Sequence, residues 1–593
     1  MCGIHLTLST EDYILPSAKT CELLHRRGPD AVRELKRTCT IDDNGRQSKV
    51  FITCYSTVLA LRGPQVVPQP ITSSSSEGAL SHCDDFLCWN GEAFKINDHP
   101  VTGNDSETVF NLLSNNGQSS LVPAPVDHLD AAEATAAIKG PYAFAFYHSA
   151  RSEISFARDP LGRRALMSRY DDHGNFYLSS IVDSRAEPGW QEVEADGVYS
   201  IHLPTFFQVA SKGEVSLPKH VPYVAGWGPL SALNEGQPAG GPPETPIRPQ
   251  SCAPLSSLSA SVSQIELLLR QSLSTRLTTI PPCASENIRN AAHDPARLAI
   301  LFSGGLDCTL LARIANDFVP GDEPIDLLNV AFENPRVHKG PKSADEAETY
   351  SPYELCPDRI TGRASVEELR TGCPDRQWRF IAINIPYQET LTHRAEIVAL
   401  IHPHNTEMDL SIACALYFAA RGHGMLTDLS SDEPPVSYTT EARVLLSGLG
   451  ADELFGGYQR HAIAFDKHGL SGLLEELNLD IGRLGKRNLG RDDRVLSNWA
   501  RETRFPFLDE DLVDWAVKSD VWERCDFGAQ PSFGPDAEID GSINLEPGKK
   551  VLRCLAWKLG MAKVASEKKR AIQFGARTAK MEVGRVKGTQ LLS

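Results

Sequence analysis

The stretch RLAILFSGGLDCTLLARIA, residues 297–315, decides the fold of the second half of this chain. Its first six residues form a short apolar run typical of a buried strand, and its last residues are apolar at helical spacing. Ser303, Gly304 and Gly305 separate these two patterns, so successive backbone N–H groups can face an anion where the helix begins. The stretch therefore predicts a phosphate-binding loop, although on its own it is also compatible with an ordinary glycine-bearing turn.

Short apolar runs alternate with helical patterns after residue 258. These runs are RLAILF, IDLLNVAF, WRFIAINI and ARVLLSG. Such alternation is typical of a parallel α/β sheet. Two polar stretches, 333–357 and 427–441, have neither strand nor helix signals, and we expect them to be surface insertions.

Residues 1–223 contain many short strand signals, from GIHLTLS at 3–9 to GVYSIHL at 197–203. Helical patterns are limited to residues 17–27, the stretch after Asp105 and residues 130–138. This mixture predicts a layered α+β domain.

Proline and glycine are dense in residues 226–257, where hydrophobic periodicity disappears. The sequence therefore predicts an α+β domain at 1–225, a linker at 226–257 and an α/β domain at 258–593. A length of 593 residues agrees with at least two hydrophobic cores.

The composition is that of a globular protein, with 41% hydrophobic and 23% charged residues. The formal net charge is −17, which repels nucleic acid phosphates and anionic membranes. The longest nearly apolar stretch, 412–420, is about half as long as a membrane helix needs to be. We expect a cytoplasmic chain that binds neither nucleic acid nor membrane and whose 14 cysteines are mostly buried free thiols.

Cys2 is a candidate nucleophile. If the initiator methionine is removed, Cys2 has a thiol and a free α-amine about one side chain apart. An α-amine titrates near pH 7.7–8.0, so it can take the thiol proton and later protonate leaving ammonia. Many unrelated chains begin with these two residues, so Cys2 needs further support.

That support comes from HRRGPD at 25–30, NGE at 90–92 and GNDSET at 103–108. Together with Cys2, these segments resemble the class II, N-terminal nucleophile glutamine amidotransferases, which implies an α+β glutaminase sandwich.

The resemblance implies a role for each matching residue. Cys2 attacks the glutamine side chain, and the Asn90 amide and the Gly91 N–H form the oxyanion hole. Arg62 clamps the substrate α-carboxylate and Asp105 pairs with its α-ammonium group. The glutamine-binding residues so implied are Arg62, Asn90, Glu92 and Asp105. Without the resemblance, Asn90-Gly91 is the commonest hairpin turn signal.

The segments VLLSGLGADELFGGYQRH at 444–461 and PFLD at 506–509, together with SGGLD, resemble the glutamine-dependent asparagine synthetases. This resemblance implies an ATP pyrophosphatase domain that follows the glutaminase. The ATP-binding residues so implied are Leu301, Ser303, Gly304, Gly305, Asp307, Val330, Ser447 and Gly448. Asp307 and Asp452 would hold Mg²⁺, because two carboxylates at the ends of parallel strands suit a hard cation.

Further segments resemble a subgroup, the eukaryotic asparagine synthetase domain-containing proteins. They are PDRITGRAS at 357–365, RNLGRDDRV at 487–495, RFPFLDE at 504–510 and KRAIQFGARTAKME at 569–582. Leu449 departs from the family pattern, in which a glutamate at this position takes a proton from attacking ammonia. A leucine cannot transfer protons.

The sequence thus predicts an asparagine synthase that hydrolyses glutamine and uses Mg²⁺ and ATP to adenylate and amidate the aspartate side chain. Its partners would be glutamine, aspartate and ATP, and a homodimer is left open. Leu449 and the two polar stretches favour the alternatives: a glutaminase without synthetase activity, or a non-catalytic protein that binds glutamine and ATP.

Overall fold

A computed structural model gives the fold of most of the chain. It describes residues 1–43, 46–73, 84–114, 131–185, 187–223, 254–281, 294–338, 350–427, 434–529, 540–581 and 588–592. Of the predicted linker at 226–257, residues 226–253 lie outside the described residues, as do 339–349 and 428–433 of the two polar stretches.

The N-terminal part, up to residue 223, consists mainly of strands. The strands are β1 (Gly3–Ser9), β2 (Ala31–Asp43), β3 (Arg46–Val58), β4 (Ile71–Thr72), β5 (Phe86–Gly91), β6 (Lys95–Ile96), β7 (His99–Pro100), β8 (Ile138–Lys139), β9 (Tyr142–His148), β10 (Glu153–Arg158), β11 (Met167–Tyr170), β12 (Phe176–Ser179), β13 (Gln191–Glu192), β14 (Gly197–His202) and β15 (Lys219–Pro222). The helices are α1 (Ala18–Arg27), α2 (Asp105–Leu113), α3 (Ala131–Ala136) and α4 (Leu203–Ala210).

The remainder alternates strands with helices. Its strands are β16 (Leu298–Leu301), β17 (Ile325–Phe332), β18 (Trp378–Ile385), β19 (His423–Thr427), β20 (Val436–Thr439), β21 (Val444–Leu446) and β22 (Glu502–Arg504). Its helices are α5 (Ala260–Thr278), α6 (Leu306–Ala315), α7 (Pro357–Gly372), α8 (Tyr387–Ile401), α9 (Glu407–Arg421), α10 (Ala451–Phe455), α11 (Gln459–Gly482), α12 (Leu484–Arg487), α13 (Leu489–Ser497), α14 (Glu510–Lys518), α15 (Val521–Arg524), α16 (Lys550–Lys558), α17 (Ala562–Ser566) and α18 (Ile572–Gly575).

The chain forms two compact units. The first contains Met1–Gly236, Val398–His404 and Gly482–Arg501, and the second contains Gln237–Ile397, Asn405–Ile481 and Glu502–Ser593. Two short segments from the second half of the sequence therefore pack with the first unit.

The first unit contains two stacked antiparallel sheets. One has the order β13-β11-β12-β1-β3-β2 and the other the order β15-β14-β10-β9-β5-β4. Alternate residues of β1, namely Ile4, Leu6 and Leu8, pack in one core with Phe86 and Cys88 of β5. The predicted α+β layered architecture is confirmed.

The second unit contains a mixed sheet with the order β20-β19-β18-β17-β16-β21-β22. The strands β18, β17, β16, β21 and β22 are parallel, as predicted, but β19 and β20 run antiparallel at one edge. The prediction that 427–441 lacks a strand was wrong, because Val436–Thr439 forms β20. This edge strand is largely exposed and polar, so it has no apolar run that would reveal it.

The cysteines agree with the sequence-based expectation. The cysteines in the described ranges are free thiols, and all of them except Cys21 are buried. None of the helices in the described part of the chain has the length and apolar character needed to cross a membrane.

Candidate active sites

The end of β5 brings Asn90 to the start of the chain. Because side chains alternate along a strand, Asn90 lies on the same face as Phe86 and Cys88, which pack against the β1 sheet. The Cys2 backbone nitrogen, just before β1, donates a 3.0 Å hydrogen bond to Asn90 Oδ1. The structure therefore brings the predicted nucleophile and the predicted oxyanion-hole amide together.

The side-chain nitrogen of Asn90 is a hydrogen-bond donor that a ligand could use. It is completely buried, and within the described part of the chain its Nδ2 has no hydrogen-bond partner. Since Oδ1 is engaged by Cys2, Nδ2 is the group that can donate to a ligand. An unpaired buried donor costs about 1–3 kcal/mol, which is expected where a site is built for a bound oxygen.

Gly91 supplies a second donor at the same edge of β5. The Glu92 N–H donates to the Pro141 carbonyl of the neighbouring strand segment, so the alternation of an antiparallel pair turns the Gly91 N–H away from β9. The Trp89 N–H, on the same edge, donates to Gln69 Oε1 at 2.6 Å. Gln69 Nε2 in turn lies 3.8 Å from Cys2 Sγ. The Gly91 N–H therefore belongs to the edge at which the thiol lies.

Glycine is required at position 91 by close packing. A Cβ atom there would lie 2.4 Å from the Pro141 carbonyl oxygen and 2.7 Å from Tyr142 Cα. Both neighbours are backbone atoms that cannot move aside, so the strand pair would have to separate.

The other predicted glutamine-binding residues surround the same strand end. Arg62 is buried, and its terminal nitrogens donate to the carbonyl oxygens of Ala93 and Val101. Its Nη1 also lies 3.6 Å from Glu92 Oε2. Asp105 Oδ2 accepts from the Trp89 indole at 3.1 Å and from the Ala93 N–H at 2.9 Å. The structure brings all of these residues together at the end of β5.

Arg27 is a residue of this site whose role sequence reasoning missed. It belongs to the HRRGPD segment, where Arg26 is partly exposed and pairs with Glu22, whereas Arg27 is completely buried. Its Nε lies 3.4 Å from the Cys2 carbonyl oxygen, to which it donates. Helical spacing is the signal that could have distinguished the two, because Arg27 follows the apolar residues Leu23 and Leu24 by four and three positions and so lies on the same buried face of α1.

In the second unit, the predicted nucleotide residues lie where the strand order reverses. The chain passes from β16 to β17 and β18 on one side and resumes with β21 and β22 on the other. Ligands of open α/β sheets bind at the carboxyl ends of the strands beside such a switch point. The loop of Ser303–Gly305 follows β16, and Ser447 and Gly448 follow the adjacent β21.

Close packing fixes the conformation of the loop at Ser303–Gly305. Gly304 has φ of 79°, and a Cβ atom there would lie 2.4 Å from the Gly362 nitrogen. Gly305 caps α6, whose first turn carries Asp307. A Cβ atom on Gly448 would lie 2.8 Å from Asp307 Cβ, so the segment after β21 packs against the first turn of α6.

Lys549 joins the two predicted Mg²⁺ ligands. Its Nζ lies 2.6 Å from Asp307 Oδ2 and 2.7 Å from Asp452 Oδ1, and Lys569 pairs with the other oxygen of Asp452. Burial alone would raise the pKa of the Asp452 carboxyl, but the two ammonium groups outweigh it and hold that pKa well below its usual range. Sequence reasoning missed Lys549, because no local motif marks it.

The carboxylates of Asp307 and Asp452 are compatible with a Mg²⁺ ion that is bound together with phosphate groups. Asp307 Oδ1 is buried and has no hydrogen-bond partner in the described part of the chain. No group of three or more metal-binding side chains occurs among the described residues. Mg²⁺ commonly uses only one or two protein carboxylates, with phosphate oxygens and water completing its shell.

The remaining predicted residues line the same strand ends. Leu301 is half-buried at the end of β16, and Val330 lies on the neighbouring β17. Leu449, also half-buried, donates its N–H to Ser447 Oγ at 3.3 Å. The position that departs from the family pattern therefore directly follows the predicted nucleotide-binding pair Ser447 and Gly448.

The chain as a whole is similar to several named proteins. No protein-family model matches it. The mouse protein named asparagine synthetase domain-containing protein 1 is 32% identical over 98% of this chain and 97% of its own length. A yeast asparagine synthetase domain-containing protein is 31% identical over 91% of this chain and 86% of its own length.

Among solved structures, glutamine phosphoribosylpyrophosphate amidotransferase from B. subtilis covers 74% of this chain and 98% of its own length. The sequences are 12% identical and the TM-score is 0.25. A TM-score this low does not establish a shared fold.

Proposed function

Since the chain belongs to the family of asparagine synthetase domain-containing proteins, we propose that it is a glutamine-dependent amidotransferase that converts aspartate into asparagine with ATP. The observation that carries the proposal is the bond between the Cys2 nitrogen and Asn90 Oδ1, which leaves Asn90 Nδ2 free to donate.

The first step releases ammonia. Cys2 Sγ attacks the side-chain carbonyl carbon of glutamine while the free α-amine of Cys2 takes the thiol proton. Asn90 Nδ2 and the Gly91 N–H stabilise the negative charge on the carbonyl oxygen. The C–N bond then breaks, the α-ammonium group returns its proton to the leaving ammonia, and water hydrolyses the thioester to glutamate.

Substrate recognition in this step uses charge. The guanidinium of Arg62 suits the α-carboxylate of glutamine because it is planar and can donate two parallel hydrogen bonds. Asp105 is suited to the α-ammonium group, and Glu92 completes the set. Arg62 and Glu92 already lie 3.6 Å apart, which supports a shared charged pocket.

The second step uses the ammonia. Ser303, Gly304 and Gly305 bind the pyrophosphate portion of ATP, and Leu301, Val330, Ser447 and Gly448 surround the rest of the nucleotide. Asp307 and Asp452 are the residues that would hold Mg²⁺, which would neutralise phosphate charge. An oxygen of the aspartate side chain attacks the α-phosphorus and pyrophosphate leaves. Ammonia then displaces AMP from the acyl group, giving asparagine.

Leu449 favours a second candidate, a protein that hydrolyses glutamine or binds glutamine and ATP without making asparagine. The family pattern has a proton acceptor at this position. Loss of a general base typically costs about 10²- to 10⁴-fold in rate, so a slow synthetase is still chemically possible.

The test supplies purified protein that begins at Cys2 with glutamine, ATP, Mg²⁺ and aspartate. Asparagine and pyrophosphate in equal amounts support the synthetase. Glutamate without pyrophosphate supports a glutaminase, and no product supports a binding protein. Cys2→Ala should abolish glutamine use but leave synthesis from ammonia unchanged. Leu449→Glu should raise the synthetase rate if the missing base limits it.

A further inference from the structure

Helix α13 is buried although it is rich in charge. All nine of its residues, Leu489–Ser497, are buried, and four of them are charged. Two of these, Arg491 and Asp492, pair with each other. The other two, Asp493 and Arg494, pair with residues from the N-terminal part of the first unit.

Asp493 pairs with Arg27, which in turn contacts the candidate nucleophile Cys2. Its Oδ2 accepts from Arg27 Nη2 at 3.0 Å and from the Ala165 N–H at 3.0 Å. Its Oδ1 lies 3.8 Å from Arg164 Nη1. The side chains of Arg27, Arg164 and Asp493 are completely inaccessible to solvent.

Two residues of helix α13 accept hydrogen bonds from two of the three nitrogens of the Arg27 guanidinium. Nη2 bonds to Asp493, and Nη1 donates to Ser497 Oγ at 2.5 Å. The third nitrogen, Nε, faces the Cys2 carbonyl oxygen. The position of that last donor is therefore set by α13, because the guanidinium is a rigid plane.

The backbone nitrogens of residues 2–4 are also held by side chains. The Cys2 nitrogen bonds to Asn90, the Gly3 nitrogen to Thr57 and the Ile4 nitrogen to Ser180. A buried ion pair adds little stability compared with apolar packing, but it fixes geometry. Misplacing a reacting group by about 1 Å can cost about 10²-fold in rate.

We infer that Asp493 is a positioning residue for Cys2, which it holds in place through Arg27. The inference rests on the proposed glutaminase, because it assigns a role to the position of its nucleophile. It means that a residue from the second half of the chain controls the reactivity of the second residue.

The test compares Asp493→Asn with Glu192→Gln. Glu192 is a matched control because it also pairs with α13, through Arg494, but does not contact Arg27 or Cys2. Each variant is treated with iodoacetamide across a pH range, and the rate at which Cys2 is alkylated is measured by peptide mass spectrometry. Cys21, which is only partly buried, serves as the internal reference.

Asp493→Asn should lower the plateau rate of Cys2 alkylation and kcat for glutamine by about 10- to 100-fold, with KM changed by less than about threefold. Glu192→Gln should leave the alkylation of Cys2 within about twofold of wild type, even if both variants lower Tm. Wild-type alkylation in Asp493→Asn, or an equal loss in both variants, would overturn the inference.

If Asp493→Asn does not fold, Ser497→Ala provides the test, since it removes one acceptor of Arg27 and leaves the ion pair intact. It should slow Cys2 alkylation by about 2- to 10-fold, the equivalent of one hydrogen bond, and an unchanged rate would overturn the inference. Alkylation does not require glutaminase activity. A wild-type protein without glutaminase activity would therefore contradict the proposed function while leaving the positioning of Cys2 measurable.

Discussion

Replacing Asn90 with aspartate separates the two functions that its amide group serves. A carboxylate keeps an acceptor for the Cys2 nitrogen, which Asn90 Oδ1 accepts at 3.0 Å, but it removes the Nδ2 donor. Asn90→Asp should therefore keep the start of the chain in place while it destroys half of the oxyanion hole.

The expected loss of kcat in Asn90→Asp has two parts. Loss of one oxyanion-hole donor costs about 10²- to 10³-fold in kcat, or about 2.7–4 kcal/mol. A carboxylate about 4 Å from the developing oxyanion adds about 4 kcal/mol of repulsion at an effective dielectric constant of about 20. These parts overlap, so we expect kcat for glutamine hydrolysis to fall by at least about 10³-fold.

The assay measures glutamate release and ammonia-dependent asparagine formation in the same preparations. Asn90→Ala, which removes acceptor and donor together, serves as the comparison. The reasoning predicts that Asn90→Asp loses glutamate release and keeps the ammonia-dependent reaction. A kcat for glutamine within tenfold of wild type would refute the role of Nδ2.

Three further predictions concern charge in the buried parts of the two units. Burial, with Arg169 nearby, lowers the pKa of His5 to about 3, so below pH 6.5 the unfolded state binds the proton first. The wild-type protein should therefore lose about 3 kcal/mol of unfolding free energy, measured with denaturant, as the pH falls from 7.5 to 4.5. His5→Leu should abolish this loss. Burial raises the pKa of Asp358 to about 7. The wild-type protein therefore loses stability as pH rises from about 4 to 7, and Asp358→Asn should gain up to about 4 kcal/mol at pH 8. Lys549→Met leaves Asp307 and Asp452 without their shared ammonium group, so pyrophosphate release should be lost while glutamate release from Cys2 persists; pyrophosphate release at the wild-type rate would contradict this.

Local sequence patterns predicted the parts of the sites that depend on neighbouring residues. The strand-loop-helix pattern of residues 297–315 places the Ser303–Gly305 loop between β16 and α6, and the strand pattern before NGE places that segment at the end of β5. Each conclusion needs only a few consecutive residues, because the period of a strand or helix decides which way a side chain points.

Contacts between distant residues could not be predicted in this way. Lys549 reaches Asp307 across 242 positions, and Asp493 reaches Arg27 across 466. Lys549 does not differ in local pattern from a surface residue, and the helical spacing of Arg27 indicates a buried position but not its partner, which only the packed tertiary structure gives.

The strand signals of residues 1–223 did not include residues 31–43, which form β2, for another reason. Its inward positions include Leu35, Cys39 and Ile41, but Arg37 interrupts them. The Arg37 guanidinium lies over the rings of Phe86 and Tyr147, so an arginine fills a core position without disturbing the strand. A pattern that scores arginine as polar cannot detect this alternation.

The proposed function rests most directly on Cys2 as the nucleophile that attacks the side chain of glutamine. Wild-type protein and Cys2→Ala are treated with a diazoketone analogue of glutamine, and intact and peptide masses are recorded. The account predicts that Met1 is absent, that one adduct forms on Cys2 and that excess glutamine prevents it. Retained Met1 in a preparation that hydrolyses glutamine, or an adduct that persists in Cys2→Ala, would contradict it.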